Sequence, residues 1–169
     1  MKILIRPWTK ADFKSFRLIL RDSWRDAYSE FFPVKDQTTY LNEVYNDLEL
    51  EKMFIDNSTQ VFIVSVEEKP CALLRLSQSA DKTKFYINSL YVHPEFNGLG
   101  IGKQLISFAE EQCLSFGYKE VWLGVIKKNE RALNWYIKLG FKFLQEEPFR
   151  MGDTVVRHLI GFKSLKSSL

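Results

Sequence analysis

The stretch Ile87-Asn88-Ser89-Leu90-Tyr91-Val92-His93-Pro94-Glu95-Phe96-Asn97-Gly98-Leu99-Gly100-Ile101-Gly102-Lys103-Gln104-Leu105-Ile106-Ser107-Phe108 decides how the chain is read. Ile87 to Val92 is an apolar strand. His93-Pro94 ends it, because proline has no N–H for a sheet and restricts the residue before it. After the glycines, Ile101, Leu105, Phe108, Ala109 and Gln112 or Cys113 recur at helical spacing. A strand that feeds a glycine loop opening a helix is a place for phosphates. The first helical N–H groups lack internal partners, the helix dipole is positive there, and glycines let an anion approach the backbone. The spacing is Gly-x-Gly-x-Gly. It matches neither the dinucleotide fingerprint nor the phosphate loop ending in Gly-Lys-Ser/Thr, since Gln104 follows Lys103. On the loop alone, an anion site and a merely flexible turn stand level.

Composition narrows the classes. A chain of 169 residues suits one domain over 1–169, large enough to bury a core. The net charge of +3 comes from 24 basic and 21 acidic residues interspersed, so no nucleic-acid stripe is expected. No apolar run reaches membrane-spanning length. The N-terminus enters a strand at once with no signal peptide, and Cys71 and Cys113 sit inside strand and helix patterns. They read as reduced core thiols of a cytoplasmic protein. Two cysteines and two histidines give no metal-ligand spacing, so no metal is expected. The high aromatic share fits an aromatic core or the lining of a small-ligand cleft.

Outward from the opening stretch, 2–6 is a first strand. Thr9 and Asp12 resemble a capping box before a helix that turns Phe13, Phe16, Leu20 and Trp24 inward. Two further helices follow, one with Tyr40, Leu41, Val44 and Tyr45, the next capped near Asp47. Val61–Val66 and Cys71–Gln78 form a hairpin around Glu67-Glu68-Lys69-Pro70. Phe116-Gly117 closes the long helix. Val121–Val125 is a strand buried on both faces, Glu130–Leu139 a shorter helix, and 142–149 with 154–162 a final hairpin. The tail from Lys163 is expected to fray. The order β-α-α-α-β-β-β-α-β-α-β-β predicts an α/β (α+β) fold with a mixed sheet flanked by helices.

Two motifs now resemble the GNAT superfamily of N-acetyltransferases. Asn97-Gly98-Leu99-Gly100-Ile101-Gly102 is similar to the family's acyl-CoA loop, Gln/Arg-x-x-Gly-x-Gly/Ala, with Asn in first place. Asn129 to Phe141 is similar to Asn-x-x-Ala-x-x-Phe/Trp-Tyr-x-x-x-Gly-Phe, one strand later. Trp122–Val125, Lys128–Glu130 and Phe149–Asp153 look like the bacterial polyamine acetyltransferases of that superfamily. The resemblance covers almost the whole chain. It implies a central mixed, mostly antiparallel sheet, acetyl-CoA as cosubstrate, a small amine such as a polyamine as acceptor, direct attack in a ternary complex, and a homodimer as a common family assembly.

Acetyl transfer needs a held donor, a neutral amine, a stabilised oxyanion and a proton for the leaving thiolate. By resemblance Gly98, Gly100, Gly102 and Lys103, with Asn97, Leu99 and Ile101 in the same loop, hold the pyrophosphate. Backbone groups of Leu90, Tyr91 and Val92 look like the family's edge, to which the pantetheine arm adds like a strand. Tyr136 has the place of the general acid, a phenol protonated at neutral pH. The stripe Ala132, Trp135, Tyr136, Leu139 would equally make it a core aromatic. Asn129 is a helix cap, a CoA contact, or both. Asn88 stands where many relatives carry a Glu base, and an amide cannot take a proton. Asp26, Tyr28 and Glu30 near the acceptor cleft, and His158 on the last strand, are the alternatives, with Asp22, Asp26 and Glu30 spaced to share one helical face. Acetylation of protein N-termini or lysines, and a non-catalytic acyl-CoA sensor, are the competing readings.

Overall fold

The computed structural model describes residues 1–166. Its elements are β1 (Ile3–Pro7), α1 (Phe13–Ala27), α2 (Val34–Val44), α3 (Asp47–Ile55), β2 (Thr59–Val66), β3 (Lys69–Gln78), β4 (Phe85–Val92), α4 (Ile101–Ser115), β5 (Glu120–Ile126), α5 (Glu130–Lys138), β6 (Lys142–Met151) and β7 (Thr154–Ser164). Single 3-10 turns stand at Lys10–Asp12 and Pro94–Phe96. The order is the one the sequence predicts. The tail runs as strand to Ser164 rather than leaving the sheet at Lys163, and 167–169 lie outside the described residues.

Seven strands form one sheet in the order β1-β2-β3-β4-β5-β7-β6. Every neighbouring pair is antiparallel except β4 and β5, which α4 joins as a parallel crossover. One face carries α4 and α5 over Val64, Leu74, Leu76, Ile87 and Leu123. The other carries α1 and α2; Phe16, Leu20 and Trp24 of α1 and Leu41 of α2 pack with Phe32, Ile63 and Leu73. Leu73 and Leu74 are both fully buried on opposite faces, so β3 is held from both sides and a one-residue slip would invert both layers.

The feature that matters for function is a parting of strands. β4 pairs with β3 from Phe85 to Val92, but with β5 only at Phe85 opposite Val121 and Tyr86 opposite Trp122. β5 continues alongside β7 as far as Ile126 opposite His158. A wedge therefore opens between β4 and β5 from Ile87 onward. A bulge bends β4 at this point: Arg75 opposes Ser89 and Leu76 opposes Ile87, leaving Asn88 without a partner.

Several local expectations shift. The cap of α3 is Asn46, whose side chain accepts the Glu49 N–H at 3.0 Å, not Asp47. The β2–β3 turn is just Glu67-Glu68, both at positive φ (47° and 70°), and Pro70 already belongs to β3. Asp22, Asp26 and Glu30 do not form one face. α1 ends at Ala27, before Glu30, and Asp22 is held by Arg21 at 2.7 Å and His93 at 3.0 Å. Cys71 and Cys113 are free and buried, and burial pushes their thiols up to about 11 and about 12.

Candidate active site

The edge of the wedge follows from the ladder. The His93 N–H bonds the Cys71 carbonyl at 2.7 Å, so by antiparallel alternation Tyr91 also turns its backbone toward β3. Leu90 and Val92 then turn their N–H and C=O groups into the wedge. The Val92 carbonyl accepts the Ser23 hydroxyl at 3.2 Å, which leaves the Val92 N–H facing open space. Tyr91 thus contributes its ring, not its backbone.

The wedge runs into the loop before α4. Gly98 and Gly100 have φ of 81° and 77°, conformations that glycine adopts without steric cost. A Cβ at either would meet nothing within 4 Å. Gly102 differs: its Cβ would lie 3.3 Å from the Trp135 ring, so this glycine serves the packing of α5 on α4. No N–H from Gly98 to Lys103 donates to another described residue, and the first intrahelical bond is Gln104 N–H to the Gly100 carbonyl at 3.2 Å. Lys103 is exposed and in no ion pair among the described residues. Free donors, open space and a cation fit a pyrophosphate, and the free β4 edge fits an extended amide-bearing arm. These residues fit CoA.

Two cavities meet at Ile87–Tyr91 and Leu123–Ile126. The outer cleft, ≈ 1170 Å³, is lined by Leu90, Tyr91, Val92, Asn97, Gly98, Gly100, Ile101, Gly102, Lys103, Asn129 and Tyr136, and by Asp26, Tyr28 and Asn88. Leu99 is not in its lining, and its side chain is exposed. The inner cavity, ≈ 280 Å³, lies on the α1/α2 side and shares Tyr28, Asn88 and Tyr91 with the outer one.

Tyr136 stands on the inward stripe of α5, its ring 4.9 Å from Trp135 and 5.6 Å from Phe141. Its hydroxyl bonds no described residue, and burial, helped by Tyr91, raises its pKa, so the phenol keeps its proton. Both readings of the stripe therefore hold: the ring packs on the core and also lines the cleft. Asn129 caps α5, its Oδ1 accepting the Ala132 N–H at 3.3 Å, and also lines the cleft. The Tyr28 and Tyr91 hydroxyls are 3.1 Å apart, and burial raises the pKa of both.

Asn88, on the bulge, borders both cavities, while Asp26 stands exposed at the outer one. His158 lines the inner cavity. Its ring fills the space of a missing side chain: a Cβ at Gly124 would overlap the His158 ring at Cε1. Burial lowers its pKa, against a hydrogen bond that the ring donates to the Gly124 carbonyl and the charge of Glu147, so the imidazole is neutral at pH 7. The rest of the inner wall was not foreseen: Trp24, Tyr40, Tyr45, Arg75, Phe149 and Met151. Asp36 pins part of it. It accepts the Asp153 N–H at 3.1 Å and the Thr154 hydroxyl at 2.5 Å, tying the β6–β7 turn to α2. The sequence held one signal for Arg75, a charge inside the apolar run Cys71–Leu76.

A parted β4–β5 pair, a glycine turn at a helix N-terminus and a tyrosine across the cleft define an acyl-CoA N-acyltransferase. The profile of the acetyltransferase (GNAT) family matches residues 20–141, and the chain belongs to that family. It is an N-acetyltransferase that uses acetyl-CoA. It is 26% identical over 151 residues to an uncharacterized N-acetyltransferase in the pepI 3′ region of Lactobacillus delbrueckii subsp. lactis, 86% of this chain and 87% of that protein. It is 25% identical over 146 residues to a spermidine N(1)-acetyltransferase of Thermoplasma acidophilum, 84% and 89%. The PaiA N-acetyltransferase of the same organism, solved with coenzyme A, superposes with a TM-score of 0.83 over 97% of this chain and 99% of that one, at 23% identity. No helix among the described residues is long and apolar enough to cross a membrane.

Proposed function

We propose that this enzyme moves the acetyl group directly to a small primary amine that enters through the inner cavity, with Tyr136 as general acid. The observation that carries this is the wedge: a free Val92 N–H and an unbonded Tyr136 hydroxyl line one cleft. Acetyl-CoA supplies an activated acetyl thioester there. Gly98 to Lys103 hold its pyrophosphate, Leu90 and Val92 its pantetheine arm, and Asn129 caps α5 beside it. The Val92 N–H stabilises negative charge that develops on the acyl oxygen. Tyr136, protonated, gives its proton to the departing thiolate. Transfer without an acyl-enzyme is supported by the two cysteines, which are fully buried and line neither cavity.

Asn88 orients the amine by hydrogen bonding, and neutral His158 takes its proton, directly or through water. A polyamine acceptor draws support from the likeness to a spermidine N(1)-acetyltransferase and from Asp26 and Glu30 at the outer cleft. The inner cavity offers it no carboxylate.

The test is thiol release from acetyl-CoA across a panel of amines, with wild type and Tyr136→Phe. The expected loss in kcat is about 10²- to 10⁴-fold, with CoA affinity kept. A Phe variant as fast as wild type would remove Tyr136 from the acid role. CoA binding with no turnover of any amine would favour a sensor.

A further inference from the structure

We infer that the acceptor is an amine that also bears a carboxylate, an amino-acid-like molecule whose anionic end sits against Arg75 in the inner cavity. This rests on the acetyl-transfer reading and names the substrate class for it.

Arg75 opposes Ser89 in the β3–β4 ladder, and its side chain leaves the sheet on the α1/α2 side. Cys71, Ala72, Leu73, Leu74 and Leu76 around it are all fully buried. Arg75 itself is half-buried, and a guanidinium in such a place is unfavourable to the extent that its buried donors and charge go unmet. They are not met by this chain. Nε is buried without a partner, and Nη1 reaches the Tyr45 hydroxyl only at 3.4 Å. No ion pair among the described residues includes Arg75. Asp56, whose carboxylate feels its charge, is exposed and bonded to Ser58 and Thr59. A second donor on the same cavity, Trp24 Nε1, is buried and near enough to the Tyr91 hydroxyl to lower its pKa, but makes no hydrogen bond of good geometry.

The cavity therefore presents one unpaired cation with an unmet Nε donor, with tyrosines around it and no Asp or Glu in its lining. A polycation would meet Arg75 with nothing to offset it. A carboxylate would satisfy the guanidinium, whose planar fork matches it. The volume of ≈ 280 Å³ suits a molecule of amino-acid size rather than a peptide. The lining also holds His158, with Asn88 and Gly124, which border the outer cleft too, so an acceptor anchored at Arg75 extends its amine toward the Val92 edge and Tyr136.

The test uses acceptors matched except for the carboxylate: lysine against 1,5-diaminopentane, and ornithine against 1,4-diaminobutane. Wild type should prefer the carboxylate member of each pair by at least about 10-fold in kcat/KM, the loss expected when a charge-assisted hydrogen bond to a half-buried guanidinium is absent. Arg75→Gln should remove that preference, and Arg75→Lys should keep part of it. Melting temperature and CoA affinity of each variant show that it folds. Preference of wild type for the diamines, or a preference unchanged in Arg75→Gln, overturns the inference. If no amine is acetylated, transfer itself fails, and binding decides separately: lysine should quench Trp24 emission in the CoA complex of wild type and not of Arg75→Gln. No quenching in wild type overturns it.

Discussion

A methyl group added at Gly100 meets nothing within 4 Å, whereas one added at Gly102 meets the Trp135 ring at 3.3 Å. The first glycine is needed for its φ of 77°, the second for space, although their sequence spacing makes them look alike. Holding alanine in the left-handed region costs about 1–2 kcal/mol, so in Gly100→Ala the loop relaxes and its N–H groups turn from the anion. Gly100→Ala should raise the dissociation constant of CoA with little change in kcat at saturation. Gly102→Ala should displace Trp135 and with it Tyr136, lowering kcat more than CoA affinity. Titration calorimetry with CoA and saturation kinetics separate the two, and the same profile in both variants would show one role, not two. Spacing in a sequence reports which residues are near each other along the chain, not their φ or what lies across from them. That is why the loop was legible and the division of labour within it was not. Arg75 shows the same limit. Its oddity within an apolar strand was visible, but its lack of a partner depends on Tyr45, Trp24 and Asp56, remote in sequence.

At the scale of elements, α5 joins stability to chemistry. Its apolar stripe was legible because helical periodicity is local, and the stripe does pack on the core. Tyr136 belongs to that stripe and to the cleft together, which no periodicity can tell apart. The cap holds the first turn of this nine-residue helix through one 3.3 Å bond from Ala132 N–H to Asn129. Asn129→Ala should destabilise the protein by about 1 kcal/mol, and Asn129→Asp, an equally good cap, should restore it. If Asn129 also approaches a phosphate, Asp should weaken CoA binding by charge repulsion while the melting temperature recovers. Melts paired with CoA titrations read both, and recovery of both by Asp would confine Asn129 to capping. The parting of β4 from β5 had no comparable local mark. Strand pairing is decided by residues far apart in the chain, and nothing in Tyr86 and Ile87 alone says that pairing stops between them. The bulge at Asn88 lies beside the parting, and Asn at this position signalled a missing base rather than a bend.

For the whole molecule, the buried ionisable groups set a pH window. On the acid side, carboxylates such as Asp12, held below its ordinary 3.8 by the Arg6 guanidinium, lose their stabilising contribution as pH falls through the carboxylate range. His158 acts earlier. Burial lowers its folded pKa beneath the ordinary 6.5, so below that pH the unfolded chain takes up a proton that the fold refuses. Unfolding then binds protons, and stability falls as pH drops from 6.5 toward the folded value, where the loss ends. On the alkaline side the sign reverses. Burial raises Cys71 to about 11 and Tyr40 to about 12, and raises Tyr28, Tyr91 and Tyr136, so the fold keeps protons that the unfolded chain gives up. Stability is then lost as pH climbs past the ordinary 9.0 of a thiol and 10.0 of a phenol. Urea unfolding followed from pH 4.5 to 11 should give a dome with a shallow shoulder that sets in as pH falls below 6.5, owed to His158. His93 is the chain's other histidine, paired with Asp22 at 3.0 Å near the surface, so the shoulder can be assigned by substitution. His158→Gln should lower stability at every pH, through lost packing on Gly124, and should flatten the shoulder. A shoulder that survives His158→Gln would place the proton uptake elsewhere and remove the ground for treating His158 as a neutral imidazole in the inner cavity.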